Sequence, residues 1–150
     1  LRLGLATDTL DVEGKITEKK SVPEINESKV LAVFSLFMGT MKQVPPMYSA
    51  KKVNGQKLYE LARRNITIER EAVTVKIKEL LLLSLFEHSI KFRVKCSKGT
   101  YVRQLGADIA EKLDTVGHLT DLTRTTVGEY KLEDCVEFQQ VEEQWMSTVI

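Results

Sequence analysis

Cys96-Ser97-Lys98-Gly99-Thr100-Tyr101-Val102-Arg103 joins a strand to a helix, and the rest of the chain is read outward from it. Upstream, Ile90, Phe92, Val94 and Cys96 alternate with Lys91, Arg93 and Lys95. A period of two is a strand with one apolar and one basic face. Cys96 falls on the apolar side, as a small hydrophobe rather than a nucleophile. Downstream, Val102, Leu105, Ile109 and Leu113 form one stripe at helical spacing, predicting a helix from Thr100 to about Leu113. Arg103 falls in its first turn, where the helix dipole disfavours a cation. A cation kept there points to an anionic partner, a carboxylate or a phosphate. Strand-to-helix junctions hold ligands in many α/β folds because their supports are rigid.

Composition sets the class. The chain has 150 residues, 43% hydrophobic and 29% charged, as in an ordinary globular domain. A domain of this size buries roughly 70% of its unfolded surface and folds without disulfides or metal. Cys96 and Cys135 lack Cys-x-x-Cys spacing and read as reduced thiols of a cytoplasmic protein. No apolar run approaches the ~20 residues of a membrane span. The first residues, Leu1-Arg2-Leu3-Gly4-Leu5, already have a strand pattern, and residues upstream of Leu1 are expected.

The net charge of +1 conceals an asymmetry. Residues 42–70 carry seven Lys or Arg against Glu60 and Glu69; residues 91–103 carry five against none; residues 104–150 carry three against ten acidic. Basic charge gathered in two segments suits a polyanion contacted by one face.

In chain order, residues 1–7 and Lys15 to Lys19 read as strands around a polar turn. Asn26 or Ser28 caps a helix to about Met38, with Val30, Phe34, Phe37 and Met38 on one face and Gly39 closing it. Val44 to Ala50, with Pro45-Pro46, is expected to be extended. Asn54-Gly55 marks a tight turn, and Gln56 to Arg64 reads as a helix. Tyr48 and Tyr59 among the basic residues suit packing against RNA, where rings stack on bases and cations meet phosphates. Val73, Val75 and Ile77 alternate as a strand; Leu80 to Phe86 reads as a strand buried on both faces. Thr125 to Tyr130 is a strand bent at Gly128, and Phe138, Val141, Trp145 and Val149 make a last helical stripe. The pattern is α+β, with a mixed, mostly antiparallel sheet flanked by helices.

Several chemistries find no support. His88 and His118 have no ligand-spaced partners, so no metal site is predicted. No Gly-x-Ser-x-Gly elbow, P-loop or Gly-x-Gly-x-x-Gly occurs. His118 reads as a structural or capping residue. Asp8 and Asp11 read as turn residues, and Asp108 does not share a helix face with Arg103.

Three blocks resemble the TruB family of tRNA pseudouridine synthases. They are Arg2-Leu3-Gly4 through Thr7-Asp8-Thr9 to Gly14; Pro45-Pro46-Met47-Tyr48-Ser49-Ala50-Lys51-Lys52 with Gly55, Leu58-Tyr59-Glu60-Leu61-Ala62-Arg63 and Glu69-Arg70; and Cys96 to Arg103 followed by Leu119 to Tyr130. The resemblance implies isomerisation of the T-loop uridine at tRNA position 55 to pseudouridine, by a bacterial-type cytoplasmic enzyme without metal or organic cofactor. In such enzymes an aspartate attacks the uridine, the glycosidic bond breaks and the base reattaches through carbon. The base is flipped out to be reached. That aspartate belongs to a Gly-x-Leu-Asp-type motif upstream of the first block, and no residue of this chain matches it. Nor do the family's upstream histidine and active-site tyrosine have counterparts here.

By the same resemblance, Tyr101 lies against the target uridine, Arg103 pairs with the nucleophilic carboxylate and Leu122 lines the base pocket. Residues 42–70 resemble a mobile thumb that closes on the T-stem-loop, with Lys51, Lys52, Lys57, Arg63 and Arg64 as phosphate contacts; Lys98 of the junction is a further substrate contact. One departure is Thr123-Arg124, where the family has two arginines. Residues 1–150 then read as the C-terminal share of one incomplete catalytic domain, with no separate C-terminal RNA-binding domain evident after Gly128. Such a fragment is inactive alone, and its exposed sheet edges predict self-association. The competing reading is a non-catalytic RNA-binding module.

Overall fold

The computed structural model describes residues 1–138, 141 and 142. The elements are β1 (Arg2–Leu3), β2 (Leu5–Thr7), β3 (Ile16–Lys19), α1 (Glu27–Leu36), β4 (Gly39–Gln43), β5 (Lys52–Val53), β6 (Gln56–Lys57), α2 (Leu58–Arg63), β7 (Val73–Phe86), β8 (Ser89–Cys96), α3 (Val102–Lys112), β9 (Gly117–His118), β10 (Thr126–Val127) and β11 (Tyr130–Lys131), followed by a 3-10 turn, Leu132–Asp134.

Five strands form the main sheet in the order β4-β7-β8-β1-β9. Every pairing within it is antiparallel; the parallel element is an isolated bridge between Asp11 and Leu119. The α+β class expected from sequence is therefore correct. Residues 1–7 do not run as one strand. Gly4 takes φ +88°, a region open to glycine, and splits them into β1 of the main sheet and β2, which pairs with β3.

The core lies between one face of this sheet and helices α1 and α3. Ile77, Leu80 and Ile90 meet Val30, Val33, Phe34, Leu105, Ile109 and Leu113. Burying each such side chain contributes roughly 1.5–3 kcal/mol. Phe34 and Phe92 meet edge to face at 5.9 Å. Close approach at the other end is a glycine property: a Cβ on Gly117 would lie 2.7 Å from Arg2 O and 2.8 Å from Ala110 Cβ.

Four further expectations need correcting. The helix expected from Gln56 starts only at Leu58, because Gln56 and Lys57 pair with Val53 and Lys52 as β6. Asn26 caps α1 through a 2.9 Å bond from the Lys29 N–H, but Met38 lies past the helix end and is 45% exposed. Residues 73–86 form one 14-residue strand, and its apolar run is not buried on both faces. Leu81 and Leu83 are 42% and 47% exposed, because the helices cover one face of the sheet alone. Val44 to Ala50 is not extended throughout: residues 47–50 bend, and the Ser49 N–H donates to Met47 O at 2.9 Å.

Asn54 (φ 49°) and Gly55 (φ 81°) make the tight β5–β6 turn. Thr125 to Tyr130 belongs to the short β10–β11 hairpin, turning at Gly128 with φ 61°. Of the expected last stripe, Phe138 and Val141 are helical, while Trp145 and Val149 lie outside the described residues.

Candidate functional site

The junction between β8 and α3 is held from both sides. Gly99, at φ +80°, turns the chain after Cys96. Ser97 Oγ accepts from the Lys76 N–H at 2.9 Å, tying the turn to β7. Tyr101 is the N-cap residue of α3 but makes no side-chain cap bond. Its backbone is clamped instead by Gln43. The Tyr101 N–H donates to Gln43 Oε1 at 2.9 Å, and Gln43 Nε2 donates to Tyr101 O at 3.2 Å. Gln43 is 2% exposed, and both polar ends are satisfied by this one backbone unit.

Arg103 reaches out of the first turn of α3 to three acceptors in two other segments. Nη1 donates to Thr9 O at 2.9 Å and to Asp11 Oδ2 at 2.7 Å; Nη2 donates to Tyr48 O at 2.8 Å. The loop 8–14 brings Asp11 to it. Asp8 Oδ1 accepts from the Lys15 N–H, and a Cβ on Gly14 would collide with Thr9 Oγ1, so only glycine closes that loop. Asp11 is itself tied at both oxygens: Oδ1 accepts from Thr9 Oγ1 at 2.6 Å and from the Glu13 N–H at 3.2 Å, while Oδ2 holds Arg103. Burial alone would raise its pKa. The bonds from Thr9 and Arg103, the Arg103 charge and the Glu13 N–H together outweigh that and hold the carboxyl below its ordinary range.

The anion beside Arg103 is thus supplied within the chain. The expectation that Arg103 would find no carboxylate partner here does not hold, and Asp11 is more than a turn residue. An arginine has five N–H donors. Three are taken, so Nε and one Nη2 hydrogen have no partner among the described residues. Arg103 can pair with a second anion while Asp11 keeps its plane fixed. Asp11, with both oxygens occupied, is placed to orient Arg103 rather than to attack.

An open cavity of about 430 Å³ lies over this pair, with Tyr48, Tyr59, Arg63 and Tyr101 in its wall. An adjoining one of about 370 Å³ shares Asp11 and Arg103 and is lined on its other side by Leu119 and Leu122. Of the residues singled out from sequence, Tyr101, Arg103, Arg63 and Leu122 are brought together around Arg103. Lys51, Lys52, Lys57, Arg64 and Lys98 do not line either cavity. Lys57 and Arg63 both lie against the Tyr59 ring, at 5.5 and 5.3 Å from its centre. Lys51 Nζ donates to Glu71 O at 3.4 Å, and Lys52, Arg64 and Lys98 are exposed. Ser49, 4% exposed, lines the larger cavity with its Oγ unpaired.

Asp108 bonds Gln104 and lies outside the site. His118 is buried with Nδ1 2.8 Å from Leu5 O, a structural position. No group of three or more His, Cys, Asp or Glu arranged to hold a metal occurs among the described residues.

Residues 1–102 match the family model described as TruB family pseudouridylate synthase, N-terminal domain. The chain belongs to the TruB family. Residues 103–148 match a second model, the tRNA pseudouridylate synthase B C-terminal domain, so the two models meet inside α3. The tRNA pseudouridine synthase B of Bacillus cytotoxicus is 47% identical over 148 residues, covering 94% of this chain and 48% of that protein. The enzyme of the same name from Francisella tularensis subsp. novicida is 45% identical over 144 residues, covering 95% and 48%. The chain therefore spans about half the length of these relatives. Among solved structures, a chain of a Cbf5-Nop10-Gar1 complex superposes with TM-score 0.65 at 24% identity, covering 86% of this chain and 35% of that one. At that identity the likeness establishes the fold. No helix of the described residues is long and apolar enough to cross a membrane.

Proposed function

We propose that this chain forms one wall of a tRNA pseudouridine synthase that isomerises the T-loop uridine at position 55. The observation that carries this reading is Arg103, fixed by Asp11, Thr9 and Tyr48 with two N–H donors still unused. A nucleophilic aspartate from the rest of the protein would take those donors. The flipped uridine would enter between Tyr101 and Leu122, with its T-stem-loop phosphates on Lys51, Lys52, Lys57, Arg63, Arg64 and Lys98. The two cavities that meet at Arg103 support that path.

The nucleophile attacks, the glycosidic N–C bond breaks and the base turns; carbon 5 then bonds to the sugar as the carboxylate leaves, gives up its hydrogen to solvent, and the freed nitrogen takes up a proton. Arg103 keeps the attacking carboxylate ionised and aimed, and Tyr101 gives the base a ring face. Residues 1–150 form the C-terminal share of the catalytic domain, with 42–70 as the thumb. Alone they turn over no RNA and self-associate through uncovered surface. The proposed setting is the cytoplasm.

The test is Arg103→Ala in the full-length protein, followed by tritium release from 5-tritiated uridine and by RNA binding. Turnover should fall far more than affinity, since a part-buried hydrogen bond between charged groups is worth ~1.5–3 kcal/mol. Equal losses in both would make Arg103 a phosphate contact and favour an RNA-binding module.

A further inference from the structure

The face of the main sheet turned away from α1 and α3 is basic across four strands. Directly opposed residues of antiparallel strands share a face. Lys42 of β4 lies opposite Thr74, and Thr40 lies opposite Lys76 of β7. Lys95 lies opposite Glu79, Arg93 opposite Leu81 and Lys91 opposite Ser84. Ser89 of β8 then pairs with Arg2 of β1. Arg2, Lys42, Lys76, Lys91, Arg93 and Lys95 therefore project from one surface, and all six are exposed. Glu79 is the single acid among the paired positions, and none of the six cations forms an ion pair among the described residues.

Fold requirements do not account for this. Like charges on neighbouring positions of one sheet face repel and destabilise it. Lysine commonly protects edge strands from stray pairing, but β7 and β8 are interior strands of this sheet. Solubility is served by interspersed signs, not by one sign. Leu81, 42% exposed in the middle of the array, shows that nothing among the described residues covers it. Along β8 the cations repeat at about 6.8 Å, two strand residues. That is a row of cations at even spacing on β8, flanked by Lys76 and Lys42 across two register shifts of the sheet, and its charge is complementary to a chain of phosphates.

We infer that this sheet face is a second RNA-binding surface, distinct from the catalytic cavities, which holds the phosphate backbone of the substrate RNA. The inference rests on the reading of the protein as an RNA-modifying enzyme, but its readout is binding, not chemistry. Its residues do not line either cavity. The surface would add affinity and electrostatic steering without touching the reacting base.

Two variants of the full-length protein test it. One carries Lys91→Gln, Arg93→Gln and Lys95→Gln; the other carries Lys42→Gln and Lys76→Gln on neighbouring strands, so misfolding of either leaves the other to decide. Transfer-RNA affinity is measured from 50 to 200 mM salt, with kcat at saturating RNA. The salt slope should shrink by about 2–3 for the triple variant and about 1.4–1.8 for the double, at roughly 0.7–0.9 per phosphate contact. Affinity near 150 mM should fall on the order of tenfold or more, with kcat unchanged. Unchanged affinity and slope would overturn the inference, as would a kcat loss at constant slope. Weakened binding of polyglutamate with unaltered RNA binding would also overturn it, indicating an acidic protein partner. A full-length protein that releases no tritium but shows the slope change would refute the proposed reaction and leave this surface standing.

Discussion

Asp11→Ala in the full-length protein should cost about 2 kcal/mol of coupling with Arg103. The two side chains are 25% and 27% exposed and meet at 2.7 Å. An exposed pair is worth ~0–1 kcal/mol, and a broken buried one costs ~3–5 kcal/mol. This pair sits at a cavity wall and lies between those limits; hydrogen bonds to charged groups, at ~1.5–3 kcal/mol, give the same range. The assay is a double-mutant cycle by urea denaturation with Asp11→Ala, Arg103→Ala and the double variant. If the whole coupling acts on the placement of Arg103 in the transition state, kcat of Asp11→Ala falls about thirtyfold. The pH dependence has a defined sign. The folded-state pKa of Asp11 lies below its ordinary 3.8, so its stabilisation is fully present above that value and is lost as pH falls through the lowered one. The gap between wild type and Asp11→Asn should close over that acid window. Additive single-mutant effects, or a gap that stays constant into acid, would refute the account of Asp11 as the group that positions Arg103.

Gln43→Ala orphans the Tyr101 N–H, while the Tyr101 carbonyl keeps its bond from the Leu105 N–H, and it leaves a buried hole; a loss of about 2–4 kcal/mol is expected by chemical denaturation, and a loss under 0.5 kcal/mol would mean the clamp is dispensable. Asp108 has its pKa raised first by burial, with the Glu111 charge adding to it, so its ionised form costs stability above that raised value and the cost disappears in acid. Asp108→Asn should therefore raise Tm at pH 7 and not at pH 3; a lower Tm at pH 7 would contradict this. Lys51→Ala with Lys52→Ala should weaken tRNA binding and reduce the salt slope by about 1.4–1.8, and an unchanged slope would remove the thumb from the phosphate interface.

The helices and the central hairpin were legible because their patterns are long. The Leu105, Ile109 and Leu113 stripe predicts α3 and its buried face, and the apolar–basic alternation of residues 90–96 predicts β8 with its two faces. The apolar run of residues 80–86 misleads because periodicity carries no count of covering layers: only one face of the sheet is packed. At the site, the ill-placed cation at Arg103 marks an anion partner, but sequence gives no sign of where that anion lies. Asp11 is 92 positions away and reaches Arg103 only because the 8–14 loop folds against Leu119. Gln43 carries no signal except its polarity at the end of a buried strand position. Its partner is a backbone unit 58 positions away, and no side-chain pattern announces such a bond.

Under the proposed function, residues 1–150 supply the uridine-binding wall and Arg103 but not the attacking carboxylate. Tritium release from 5-tritiated uridine in T-loop RNA tests it most directly, comparing the full-length protein with residues 1–150 alone. Release by the full-length protein and none by residues 1–150 is expected. Turnover by residues 1–150 would contradict it and place the nucleophile within this chain.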